Sequence, residues 1–174
     1  MSRAAGTAEA PPAVGVSGVS AMPPPCSATG VARRPLRVVL DTNVLLSLYV
    51  FADSRFAALR QRIDSGAWLA CSRDDCLAEF RRVLGYPLFA LDAAAQAAAY
   101  AAYASRVTLD SDPPACPVAL PRCTDRDDQK FLEAARDHAA DWLVTADKAL
   151  LRLARRNRLG GLFHILTPEA ALLA

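Results

Sequence analysis

Val38-Val39-Leu40-Asp41-Thr42-Asn43-Val44-Leu45-Leu46 sets three polar residues at the point where one apolar run stops and another begins. The stretch from Arg37 to Leu40 is apolar and β-branched after its first residue, which suits a strand buried on both faces of a parallel sheet. Beyond the triplet, Val44, Leu45, Leu48, Phe51, Phe56 and Leu59 recur at helical spacing. A strand that passes straight into a helix puts Asp41 at the strand's carboxyl end. In open α/β sheets that edge is where ligands bind.

The same alternation continues downstream. Ala67 to Cys71 predicts a second strand. Ser72-Arg73-Asp74-Asp75 has the form of a capping box, and the helix it opens carries Cys76, Leu77, Phe80, Val83 and Leu84 on one face. Leu91 to Ser105 predicts an alanine-dominated packing helix ending at Tyr100 and Tyr103. Asp110 to Pro121 reads as a proline-rich loop with short strands on either side, at Val107 to Leu109 and Val118 to Leu120. Phe131 begins another helix, Trp142 to Thr145 another strand, and Lys148 to Arg158 a helix closed by Gly160-Gly161. Phe163 to Leu166 is a last strand, and Thr167-Pro168-Glu169 opens a last helix with Thr as cap and Pro in the first turn. Strands alternating with helices predict an α/β parallel sheet with helices on both faces.

The chain has 174 residues, 53% apolar and 22% charged, enough for one domain with a real core. Residues 1–35 are Ala, Pro, Gly, Ser and Val with almost no large apolar side chain, and hold six of the twelve prolines. Such a segment buries too little surface to offset its ordering entropy, so we expect a disordered leader, or a translation start placed too far upstream, before a domain of residues 36–174. Prolines interrupt any hydrophobic region there and argue against a secretory signal. The net charge of +2 comes from this segment: without Arg3, Glu9, Arg33 and Arg34 the remainder carries 17 basic and 17 acidic residues. That balance excludes a protein bound mainly by nonspecific attraction to phosphate and leaves room for a basic rim around an acidic centre. Cys26, Cys71, Cys76, Cys116 and Cys123 are odd in number and form no CxxC pair, as expected of reduced thiols in the cytoplasm. No apolar run reaches the roughly 20 residues needed to span a bilayer.

The chemistry rests on Asp41, Glu79, Asp128 and Asp147, with Asp125 nearby. Asp41, Asp128 and Asp147 each precede a helical run, where Asp is a favoured N-cap. Two of them do more than cap: Asp41 and Asp147 both follow buried-type parallel strands and so share one sheet edge. Glu79 lies in mid-helix, at the margin of the buried arc beside Val83, from where it can lean toward that edge. Carboxylates gathered in one cleft repel each other unless a cation neutralises them. Oxygen ligands from Asp and Glu, with Asn43 in support, suit Mg2+ or Mn2+, and such an ion acidifies water, orients a phosphodiester and stabilises a leaving oxygen. Hydrolysis of nucleic acid follows.

The Asp41-Thr42-Asn43 opening, Glu79 seven residues after Ser72, Asp125-x2-Asp128-x2-Phe131-Leu132-Glu133-Ala134-Ala135 and Leu143-Val144-Thr145-Ala146-Asp147 together resemble the PIN-domain nucleases. Within them the chain resembles the bacterial group of toxin components of toxin-antitoxin systems. The resemblance covers roughly Leu36 to Ala171. It implies a three-layer α/β/α fold with a five-stranded parallel sheet, Mg2+- or Mn2+-dependent cleavage of RNA, a homodimer and a cognate antitoxin as inhibitory partner. By position it implies that Asp41, Glu79, Asp128 and Asp147 are metal ligands, that Asn43 and Thr145 orient ligands or water, and that Asp125 is an alternative ligand. Arg126 stands where the family often has proline and Asp127 adds an acid, which leaves the choice among Asp125, Asp127 and Asp128 open.

Arg152, Arg155, Arg156 and Arg158 follow Asp147 in a helix, and read either as a solvated face or as contacts to an RNA backbone. His138 is expected in solvent and His164 in a strand. No GxGxxG or P-loop pattern occurs. A haloacid-dehalogenase reading of Asp41 requires a second Asp where Asn43 stands. Two rival readings remain: a non-catalytic module that binds RNA or protein, and a hydrolase of small phosphate esters.

Overall fold

Leu36–Leu40 forms strand β1 and Thr42–Tyr49 helix α1, with only Asp41 between them. The computed structural model describes residues 34–109, 117–154, 159 and 161–174, so residues 1–33 of the expected leader, with Arg155, Arg156 and Arg158, lie outside the described residues. The elements after α1 are α2 (Ala57–Asp64), β2 (Trp68–Cys71), α3 (Asp74–Leu84), α4 (Ala93–Ala104), β3 (Val107–Thr108), α5 (Gln129–Asp137), β4 (Trp142–Val144), α6 (Lys148–Ala154), β5 (His164–Leu166) and α7 (Pro168–Leu173).

All four strand pairings are parallel, in the order β3-β2-β1-β4-β5. The register sets Leu36 beside Trp68 and Leu40 beside Val144. Side chains alternate across the sheet as a period of two requires. Val38, Leu40, Ala70 and Val144 face a core built with α1, α2, α3, α4 and α7, while Val39, Cys71, Leu143 and Ile165 face a second core built with α5 and α6. This is the expected three-layer α/β/α arrangement. Tyr103, fully buried at the end of α4, packs its ring 5.5 Å from Tyr49 and 5.9 Å from Phe80.

Three local readings need correction. Ser72 does not cap α3, because its amide still donates to Thr108 O at 3.1 Å and keeps it in the sheet; the N-cap is Arg73, with no side-chain cap bond. Val118 to Leu120 form no strand. Their loop is held by α5 instead: Arg136 donates to Val118 O at 3.3 Å, and Gln129 donates to Pro121 O at 3.5 Å and accepts from the Cys123 amide at 2.8 Å. His138 is buried, not solvated, and its Nε2 donates to the Ser72 carbonyl at 2.8 Å. At the opposite edge of the sheet, Arg34 clasps Asp141 through two bonds of 2.6 and 3.0 Å. Cys76 and Cys123 are buried free thiols, and Cys71 is buried as well. Among the described residues no helix is long and apolar enough to cross a membrane.

Candidate active site

Going outward from β1, strands β2 and β3 lie on one side and β4 and β5 on the other, so the strand order reverses between β1 and β4. A crevice opens at such a switch point, beyond the carboxyl ends of the strands. Asp41 and Thr145 are the first residues past β1 and β4, and the Asp41 amide still donates to Val144 O at 3.1 Å. Asp41 is only 3% exposed and Thr145 is fully buried. One Asp41 oxygen accepts from the Val44 amide at 2.8 Å, capping α1, and the other accepts from the Thr145 hydroxyl. That hydroxyl also accepts from the Asp147 amide at 2.8 Å, and Asp147 Oδ1 caps α6 through the Ala149 amide at 2.5 Å. Thr145 therefore ties the turn after β4 to the acid after β1 and orients Asp41.

Glu79 reaches the same edge from α3. It is half-buried beside Val83, while Ala78 and Arg82 are exposed, as the angular reading required. Its Oε1 accepts from the Thr42 hydroxyl at 2.6 Å and its Oε2 from the Lys130 ammonium, with Arg82 4.0 Å away. Lys130 did not emerge from the sequence, and Thr42 entered there only as a member of the Asp41-Thr42-Asn43 triplet, with no role of its own. Asp128 stands at the N-cap position of α5 but makes no side-chain cap bond. Asp125 and Asp127 are exposed, and Asp125 accepts from the Asp127 amide at 2.9 Å. Asn43 is exposed, and its side chain makes no hydrogen bond among the described residues; Arg152 is likewise exposed and unpaired there.

Electrostatics mark the acids as neighbours. Burial pushes the Asp128 carboxyl up to about 6, with the charges of Asp147, Asp125, Asp41 and Glu79 adding to it. Burial also raises Asp41 above the usual carboxylate range; the bonds from Thr145, Val44 and Ala146 pull the other way, and Asp147 adds repulsion. Among the described residues, none of Asp41, Asp125, Asp128 and Asp147 has an ion-pair partner. As placed, no three described His, Cys, Asp or Glu side chains stand close enough to hold a metal ion. The donor set itself fits a hard divalent cation: it is all oxygen, and its charge is uncompensated.

The loop before α5 and α5 itself form an open groove of about 740 Å³, lined among others by Arg122, Arg126, Gln129, Glu133 and Arg136. Arg122 and Arg126 are exposed and pair with no described residue. They flank Asp125 in the chain, and of the helical arginines expected as RNA contacts only Arg152 lies among the described residues.

No curated protein matches the chain. The family model described as PIN domain matches residues 37–149, a stretch running from β1 through Asp41, Glu79 and Asp128 to the start of α6 just past Asp147. With more than half of the chain inside that match and a five-stranded parallel sheet holding these acids at one edge, the chain belongs to the PIN domain family, whose members are generally nucleases.

Proposed function

We propose that the protein is a divalent-metal-dependent endoribonuclease that hydrolyses RNA phosphodiester bonds in the cytoplasm, and that it is the toxin component of a toxin-antitoxin pair. The observation that carries the catalytic reading is the Thr145 hydroxyl, which binds Asp41 and the Asp147 amide together at the switch point of the sheet. Asp41, Asp128 and Asp147 would hold Mg2+ or Mn2+, with Asp125 in reserve. When bound, such an ion supplies Lewis acidity toward water and the phosphodiester. The chain's own residues do the rest. Val44 and Thr145 fix both oxygens of Asp41, the Ala149 amide fixes Asp147, and Arg122 and Arg126 draw the backbone phosphates of a strand along the groove toward Asp128. Residues 36–174 make up the nuclease domain and residues 1–35 its leader. The homodimer and the cognate antitoxin rest on the resemblance to the toxin group.

The test is cleavage of RNA with Mg2+, with chelator, and by Asp41→Asn and Asp147→Asn. Activity confined to wild type with metal supports the reading, and full activity in chelator or in both variants sinks it. A small DNA-binding protein encoded beside this gene would support the toxin assignment. A second reading, a non-catalytic RNA- or protein-binding module, is favoured by one observation: both Glu79 oxygens are already engaged by Thr42 and Lys130. A protein that binds no Mn2+ at millimolar concentration would fit that module.

A further inference from the structure

The acids at the carboxyl edge do not share one electrostatic environment. Glu79 has cations on it, the Lys130 ammonium in contact and the exposed Arg82 guanidinium 4.0 Å away, while Asp41, Asp125, Asp128 and Asp147 have none among the described residues. The Glu79 and Lys130 side chains are 15% and 17% exposed. An ion pair this far from water holds only where its geometry is good and its remaining atoms are bonded. Here the Thr42 hydroxyl takes the second Glu79 oxygen.

Three helices fix the position of that ammonium. Thr42 is the first residue of α1, Glu79 lies in mid-α3, and Lys130 is the second residue of α5. Thr42 follows Asp41 directly, and Lys130 lies two residues after Asp128, so the bridge runs beside the uncompensated carboxylates. A second divalent ion at Glu79 would have to expel the ammonium and leave it half-buried without an anion, which is the costly way to break such a pair.

We infer that Lys130 is the resident cation of this site: it fills the cation position at Glu79, so that a single divalent ion binds, on the side of Asp41, Asp128 and Asp147. Glu79 is then the positioning residue for Lys130 and not a metal ligand. The inference rests on the nuclease reading above and gives it a metal count.

The experiment is Mn2+ titration of the full chain, followed by the electron paramagnetic resonance signal of free Mn2+, for wild type, Lys130→Met and Glu79→Gln, with far-ultraviolet circular dichroism to confirm folding. One ion per wild-type chain, two per Lys130→Met chain because Glu79 then keeps only the Thr42 hydroxyl and the exposed Arg82 guanidinium 4.0 Å away, and one per Glu79→Gln chain is the expected result. Lys130→Gln replaces Lys130→Met if the latter does not fold. Two ions in wild type, one in the Lys130 variant, or a loss of affinity beyond about a hundredfold in Glu79→Gln would overturn the inference, the last because Glu79 would then hold the ion itself. Two ions in wild type leave the nuclease reading standing. No ion in wild type at millimolar Mn2+ removes both.

Discussion

Replacing Asp128 by Asn keeps the side chain's shape and removes one negative charge from the crevice. No cap bond is lost, because the Asp128 carboxylate caps nothing. Burial and then four neighbouring carboxylates push its pKa from 3.8 up to about 6. A carboxyl raised on folding holds its proton more tightly in the native state than in the unfolded chain. Its contribution to stability is therefore complete below the unfolded pKa of 3.8 and is lost as pH rises through about 6. Two pKa units at about 1.36 kcal/mol each come to roughly 3 kcal/mol. Asp128 is only half-buried, and solvent screening reduces this to roughly 1.5 kcal/mol. In buffer containing chelator, Asp128→Asn should raise the Tm by about 3–6 °C near pH 8 and leave it unchanged near pH 4. Thermal melts at both pH values check this. A variant that melts at or below wild type near pH 8, or gains as much near pH 4, refutes the electrostatic account. Millimolar Mn2+ should reverse the order, because an ion held more tightly by wild type stabilises it by mass action.

Other perturbations test the rim and the frame. Arg122→Ser and Arg126→Ser should each weaken RNA binding evenly across sequences and lower the slope of log affinity against log salt by about 1, measured by titration at several salt concentrations; an unchanged slope removes those residues from the groove's function. Ala139 follows α5 with φ of 45°, a left-handed conformation that a Cβ disfavours, so Ala139→Gly should raise the urea midpoint by the equivalent of about 1 kcal/mol. His138→Ala removes a buried ring and the bond to Ser72 O, and should cost about 2–4 kcal/mol in the same assay; a loss below about 0.5 kcal/mol would return His138 to the surface.

Much of the fold is legible along the chain because burial on both faces of a parallel sheet demands short continuous apolar runs, and Val38 to Leu40 and Trp142 to Val144 are such runs. What fails is what tertiary contacts decide. Ser72 has the right neighbours for a cap, but the ladder to β3 keeps its amide, and the helix starts a residue later. Val118-Ala119-Leu120 alternates like a strand, yet its carbonyl partner is the Arg136 side chain on α5. His138 sits among Arg136 and Asp137 in sequence and under the turn after β2 in space. No periodicity within a single segment reports such an encounter between distant ones.

The carboxylates pose the same difficulty in a sharper form, since the sequence offers two explanations for each. For Asp41 and Asp147 the cap and the site are both true: one Asp41 oxygen caps α1 while the other faces Thr145, and Asp147 caps α6 from the same edge. Capping costs these residues nothing as site acids and holds them in place. Asp128 is different. It occupies the N-cap position with αR backbone angles and no side-chain bond, so the local preference that Asp satisfies elsewhere in this chain is unmet there. A residue that breaks a local rule without a compensating local contact marks a place where something other than stability set the choice. The pairing of Glu79 with Lys130 and Thr42 is the counterpart. Each residue type alone reads as an ordinary helix residue, and only the approach of α1, α3 and α5 turns them into a charged bridge beside the open carboxylates. The position of positive charge in this site is therefore a property of three helices meeting, and neither motif nor spacing could have located it.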